Sequence, residues 1–309
     1  MVARFAVLAT CFVYVCPPRL DACIFCLSMP QTTAADILIH SEVVVFARED
    51  PDKPFSYQAV EVLKGTLDST AIDLLVNSSI RRRLKVDKAM VVVLARDKND
   101  QSWRSVGIAD EFYQQVVRRI LAVAHVWTGP SGAEKRSKFF LEFFGHENRA
   151  LSELAYLELG RAPYRTIKRF GQFVPREDLM PFLKRKEYIQ WRSLAILLLS
   201  QSTDAQDRMS IEEHFTDCCE YSLTTDLAAW ASAFIELNGA SAIERIEREY
   251  FAKTDRSDKE VCEIVIALSL HRQYGNPQLR DQIVSSFEVA IRNYPEVVKL
   301  IARDHPKKR

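Results

Sequence analysis

Glycine is scarce in this sequence, nine in 309 residues against 17 phenylalanines, which favours helices over tight, glycine-built turns. No glycine-rich phosphate loop occurs, and no Gly-x-Ser-x-Gly elbow is present for a serine hydrolase. The six histidines (His40, His125, His146, His214, His271 and His305) form no His-Glu-x-x-His pair. A single Cys-x-x-Cys stands where a zinc ribbon needs two. Basic and acidic residues nearly cancel, 42 against 41, so no global field draws the chain to nucleic acid. No catalytic residue, metal or cofactor is expected from these patterns, and the chain reads as non-enzymatic.

Long apolar runs are also missing, apart from one at the start. Met1–Arg4 is a short basic stretch, Phe5–Cys16 is uncharged and apolar but for Thr10, and Pro17-Pro18 ends any helix before Leu20-Asp21-Ala22. The run is shorter than the ~20 residues that span a bilayer, and its layout is that of a secretory signal. A buried N-terminal strand is the alternative. The expectation is a signal over residues 1–22, with export to the periplasm or the extracellular space. Cleavage after Ala22 would leave Cys23 first, so lipidation of Cys23 is a further alternative, and the only one that gives a membrane anchor.

Residues 36–107 carry strand patterns. Ile37–Ala47 is rich in β-branched residues, Val60 and Val62 alternate within Tyr57–Leu63, and Ile72, Leu74 and Val76 alternate likewise. Met90–Leu94 is continuously apolar, as a strand buried on both faces would be. Glu49–Pro54, Lys64–Ser69 and Asp97–Ser102 read as turns, and the basic run Arg81–Lys85 as another exposed turn. A small antiparallel barrel or sandwich over residues 23–127 follows, closed by a helix that Asp110 caps and that packs across the strands.

Residues 128–132, Thr-Gly-Pro-Ser-Gly, form the clearest linker. Residues 133–309 read as helices throughout. Four capping boxes are expected, at Ser131/Glu134, Ser210/Glu213, Ser241/Glu244 and Ser257/Glu260. Strongly apolar helices end near Leu159, Leu199, Leu237 and Leu270, intervals that suit stacked helical hairpins. A compact helical bundle is the alternative. The fold class expected is α+β: an antiparallel β module followed by an α-helical array.

The stretch Ala22-Cys23-Ile24-Phe25-Cys26, followed by Ala35–Ile39 and Val60–Gly65, resembles a group of uncharacterised exported bacterial proteins. It is also distantly similar to the netrin-like modules of tissue inhibitors of metalloproteinases. That resemblance covers residues 23–127 and implies a barrel of the oligonucleotide/oligosaccharide-binding (OB) type. Those inhibitors begin Cys-x-Cys and carry further cysteines in the domain, whereas here two residues intervene and no cysteine follows Cys26 in the module. The helical half is similar to HEAT-like arrays, which implies a scaffold or binding surface and no shared active site.

Cys23 and Cys26 suit a passive disulfide in an oxidising compartment, and a redox pair is the alternative. Cys218, Cys219 and Cys262 are either a bridge between helical hairpins or buried hydrophobes. Charge is uneven in the helical half. From Arg161 to Arg192, nine basic residues face three acids; from Asp204 to Asp226, seven acids face Arg208. The candidate binding patch is Arg161, Arg165, Lys168, Arg169, Lys184, Arg185, Lys186 and Arg192, with the alternative that the two runs neutralise each other across neighbouring repeats. The expected activity is binding of a protein or an anionic envelope component, with nucleic acid excluded by export. A thiol-disulfide oxidoreductase using Cys23 and Cys26, and an inhibitor of an exported protease acting through the mature N-terminus, are the other two readings.

Overall fold

Strands whose side chains alternate at period two, with both faces apolar, must be covered on both sides. The computed structural model describes residues 32–129 and 131–303; the expected signal, Cys23, Cys26 and His305 lie outside them. Strands β1 (Val43–Glu49), β2 (Ser56–Lys64), β3 (Ala71–Leu75), β4 (Val91–Arg96) and β5 (Trp103–Ala109) form one antiparallel sheet in the order β3-β2-β1-β4-β5. The sheet curves into a half-barrel with β3 and β5 at its edges. The protein is α+β, with about 14 helices beside this sheet.

One face of the sheet, carrying Val44, Phe46, Val91, Val93 and Ala95, packs on helices α1 (Ala34–His40) and α3 (Glu111–Val123). The other face, carrying Val43, Val45, Ala47, Val92 and Leu94, packs on Leu84 of helix α2 (Ser78–Val86) and on Tyr57, Ile72 and Val76. Within β1 and β4 the two faces divide the residues by alternation, while in β2 and β5, whose pairings carry register shifts, the division changes along the strand.

Two local expectations need correction. Ile37–Ala47 is not one extended run: a capping box at Thr33/Asp36 starts α1, and the strand begins only at Val43. The basic stretch Arg81–Lys85 is not a turn but lies within α2, started by the Asn77 side chain accepting the Ser79 amide at 2.8 Å. Arg48 fastens α2 to β1 by donating to the Leu84 carbonyl at 2.9 Å.

The chain continues through α4 (Gly132–Leu141), α5 (Arg149–Gly160), α6 (Tyr164–Gly171), α7 (Arg176–Lys184), a 3-10 segment (Lys186–Trp191) and α8 (Arg192–Leu199). Then follow α9 (Ala205–Tyr221), α10 (Leu227–Asn238), α11 (Ala240–Ile246), α12 (Asp258–Tyr274), α13 (Arg280–Asn293) and α14 (Val298–Arg303). Helices α6, α8, α10, α12 and α14 touch in succession, while α7, α9, α11 and α13 pack on their flank. Leu227–Ile235 of α10 is buried on every side, so α10 forms the centre of this larger core.

Of the four expected capping boxes only Ser257/Glu260 forms. Ser131 makes no side-chain cap, Ser210 lies inside α9, and Ser241 sits behind the Gly239 cap of α11. The spacing of serine and glutamate is met at each, but a cap also requires the serine to stand at the first turn with extended backbone.

The sheet and the helices share a core. Phe139, Phe140, Phe143, Leu151 and Leu154, from beyond residues 128–132, pack in the same cluster as Val44, Phe46, Tyr113 and Ile120.

Candidate functional site

The seam between sheet and helices is held by charge. Asp36 of α1 receives the Arg136 guanidinium of α4 at 2.7 Å and also that of Arg161 at the end of α5. Arg136 meets Glu158 at 2.7 Å, and the Thr33 hydroxyl donates to Glu158. Burial alone would raise the Asp36 pKa. The Thr33 amide and the two guanidinium groups outweigh burial and hold it at about 2. Every charge in this cluster is matched, so it fixes one part of the chain against another.

A second tie runs beside it. Asp110 caps α3 by accepting the Tyr113 amide at 2.8 Å, and its other oxygen accepts from Asn148 Nδ2 at 2.6 Å. Asn148 in turn caps α5 through the amides of Ala150 and Leu151. Its own amide donates to His146 Nδ1 at 3.0 Å, while the His146 ring stacks on Phe112 at 4.7 Å. The start of α5 is thus pinned to the start of α3.

A groove of three adjoining hollows with shared walls runs from this seam across α5 onto the surface of α7, and only the first touches the sheet. The first lies between β4–β5 and α5 and is lined by Arg83, Met90, Ile108, Asp110, Asn148 and Glu153. Arg149 and Glu153, paired at 2.6 Å, separate it from the second. The second, of about 200 Å³, is lined by the aromatic residues Phe182, Tyr188 and Trp191 together with Gly145, His146, Glu147 and Asp178, Asp178 standing one turn before Phe182 on α7. Glu177, Pro181 and Arg185 are shared with the third, which Arg176, Met180 and Lys184 complete.

Local sequence builds the central hollow. Gly145 takes φ +73°, and a β-carbon there would overlap the Asp178 carboxyl, so glycine is required by both backbone and space. The 3-10 segment after α7 brings Tyr188 and Trp191 into a stack, centroids 5.7 Å apart and planes at 21°. Tyr156 and Phe182 lie beneath them, with Tyr156 5.1 Å from Trp191 and 4.6 Å from Phe182. Asp178 is half-buried, and burial followed by the charge of Glu177 raises its pKa.

The eight basic residues expected to form one patch divide. Arg161 is turned inward onto Asp36, Lys168 meets Glu236 at 2.6 Å, Arg169 meets Glu134 at 2.6 Å and Arg192 meets Asp226 at 2.5 Å. The Arg192–Asp226 pair, with Arg176–Asp207 at 2.6 Å, joins the basic run directly to the acidic one. Arg165 and Lys186 are exposed, and Lys184 and Arg185 line the groove.

Cys218, Cys219 and Cys262 are free thiols. Burial pushes Cys218 up to about 12 and raises the other two, so all three stay protonated at neutral pH and are poor nucleophiles. Among the described residues no group of three or more metal-ligating side chains comes together, and no helix is long and apolar enough to cross a membrane.

Sequence reasoning singled out Lys184 and Arg185 but missed Gly145, Asp178, Tyr188 and Trp191. The available signal was Gly145-His146-Glu147-Asn148, a positive-φ glycine and a helix-capping asparagine in one turn. No family model, curated protein or solved structure matches the chain.

Proposed function

We propose that this chain is an exported, non-enzymatic binding protein whose groove receives an extended segment of another protein. The observation that carries this reading is the run of three hollows with shared walls from the seam of sheet and helices across α5 onto α7. Side chains of both charge signs alternate with apolar and aromatic surface there, a lining suited to a polypeptide rather than to an anionic polymer. The pinned helix starts and the matched buried charges support a preformed site, which lowers the cost of ordering on binding.

The finer fold names belong to the same reading. A half-barrel crossed by α3 is consistent with an OB or netrin-like module, and the two rows of helices after it are consistent with a HEAT-like array. Export rests on residues 1–22, and the likeness to exported bacterial proteins on the Cys-x-x-Cys stretch. The intact mass of the mature protein from a cell fraction is expected to begin at Cys23; a mass that includes Met1 would contradict export.

The binding reading is tested by placing a photo-crosslinking residue at Met180, in the groove, or at exposed Val284 on α13. One reproducible protein adduct from Met180 and none from Val284 is expected. Equal labelling from both positions, or none from Met180, would contradict the groove as the site.

A further inference from the structure

The central hollow of the groove specifies a ligand chemistry, and the inference rests on the binding reading above. Its lining sets four carboxylates, Glu147, Glu153, Glu177 and Asp178, against two guanidinium groups, Arg149 and Arg185. Arg149 is occupied by Glu153 at 2.6 Å and lies 6.0 Å from the centre of the Tyr188 ring. Arg185 pairs with Glu187 at 3.9 Å, and Glu187 is not part of the hollow's lining. Glu147, Glu177 and Asp178 are left without a cation at ion-pair distance among the described residues.

Asp178 is the most constrained of the three. It is half-buried, pressed against Gly145 and next to the like charge of Glu177, and both burial and that charge disfavour its ionised form. An incoming cation would reverse the disadvantage. The same hollow is lined by the stacked rings of Tyr188 and Trp191, whose π surface attracts cations electrostatically, as the chain's own Arg149 beside Tyr188 shows. At about 200 Å³ the hollow is smaller than pockets that enclose whole cofactors, and it shares lining residues with both neighbouring hollows. Its ligand is therefore a single side chain of something that continues along the groove.

We propose that this hollow takes a lysine or arginine side chain of the bound segment, its cation held between the Asp178 carboxylate and the Tyr188 and Trp191 rings. Selectivity comes from the excess of unpaired carboxylates, which repels an acidic side chain, and from the rings, which a small polar side chain would leave unused.

Calorimetric titration of the full chain with short capped glycine peptides tests this. The peptides carry one central arginine, lysine or citrulline, citrulline being the uncharged isostere of arginine. The arginine and lysine peptides are expected to saturate with Kd on the order of 1 mM or tighter, and the citrulline peptide to bind about tenfold more weakly. Asp178→Asn is expected to remove most of that difference while circular dichroism stays unchanged. Equal binding of arginine and citrulline peptides by the wild-type chain overturns the proposal even if Asp178→Asn does not fold, as does absence of saturation by all three. Peptides that discriminate by charge equally well on wild type and on folded Asp178→Asn also overturn it. An adduct from Met180 whose partner binds equally well after its basic residues are neutralised leaves the groove standing and removes the cation site. Loss of that adduct removes both.

Discussion

Asp36 is only 9% exposed at its side chain, yet it sits between two guanidinium groups that hold it ionised. Its folded pKa lies below the unfolded value. The stabilisation it gives is therefore fully present above pH ~4, and is lost as pH falls through about 2, a loss of about 2.5 kcal/mol. Asp36→Asn leaves the half-buried Arg161 without its anion and Arg136 with Glu158 alone, and is expected to cost about 3 kcal/mol at neutral pH, read from urea midpoints. His271 titrates in a different window. It is fully buried, donates from Nε2 to the Ser232 carbonyl at 2.9 Å, and packs edge-on to Tyr164. Burial lowers its pKa to about 4; the facing Glu236 opposes that and Lys168 adds to it. Being neutral in the fold and charged when unfolded, it costs stability as pH falls from 6.5 toward 4. A loss of about 2 kcal/mol between pH 7 and pH 5 is expected for the wild type, and a smaller one for His271→Gln; parallel curves for the two would contradict this. Neither network was legible in the sequence, because Asp36 lies 100 residues from Arg136 and 125 from Arg161. Nothing local marks such partners.

At the scale of elements, local chemistry decided more. The alternating stretches Tyr57–Leu63 and Ile72–Val76 and the continuous run Met90–Leu94 became β2, β3 and β4, although Val60 and Val62 of β2 face solvent instead of a core. Ile37–Ile39 misled, since their β-branched character was outweighed by the Thr33/Asp36 cap and by packing of α1 on α3. The groove depends on two such local devices. Gly145→Ala must strain a φ of +73° and displace the Asp178 carboxyl, and is expected to cost about 1–3 kcal/mol while weakening adduct formation from Met180. Asn148→Ala removes the α5 cap and the tie to Asp110. About 1–2 kcal/mol is expected from thermal unfolding, and a loss near zero would mean that the seam is held elsewhere.

Over the whole molecule, the linker-like residues 128–132 do not separate two cores. Phe140 is fully buried in the cluster that also holds Val44 and Phe46 of the sheet, so Phe140→Ala is expected to cost about 3–5 kcal/mol. It is also expected to destabilise strands and helices together, giving coincident transitions by near-ultraviolet and far-ultraviolet circular dichroism. Composition and hydropathy conveyed the class, strands first and helices after, because each element's burial is written in its own period. They could not convey that α4 and α5 complete the sheet's core, or that α5 and α7 come together to line the groove, since both depend on contacts between distant segments. The measurement that bears most directly on the groove is amide hydrogen exchange of the full chain, alone and with the segment recovered by cross-linking from Met180. Added protection is expected at Gly145–Glu153 and Arg176–Trp191, and around Met90 and Ile108 where the bound segment reaches the first hollow. Protection centred on α12 and α13, or none at these stretches, would contradict the groove as the site.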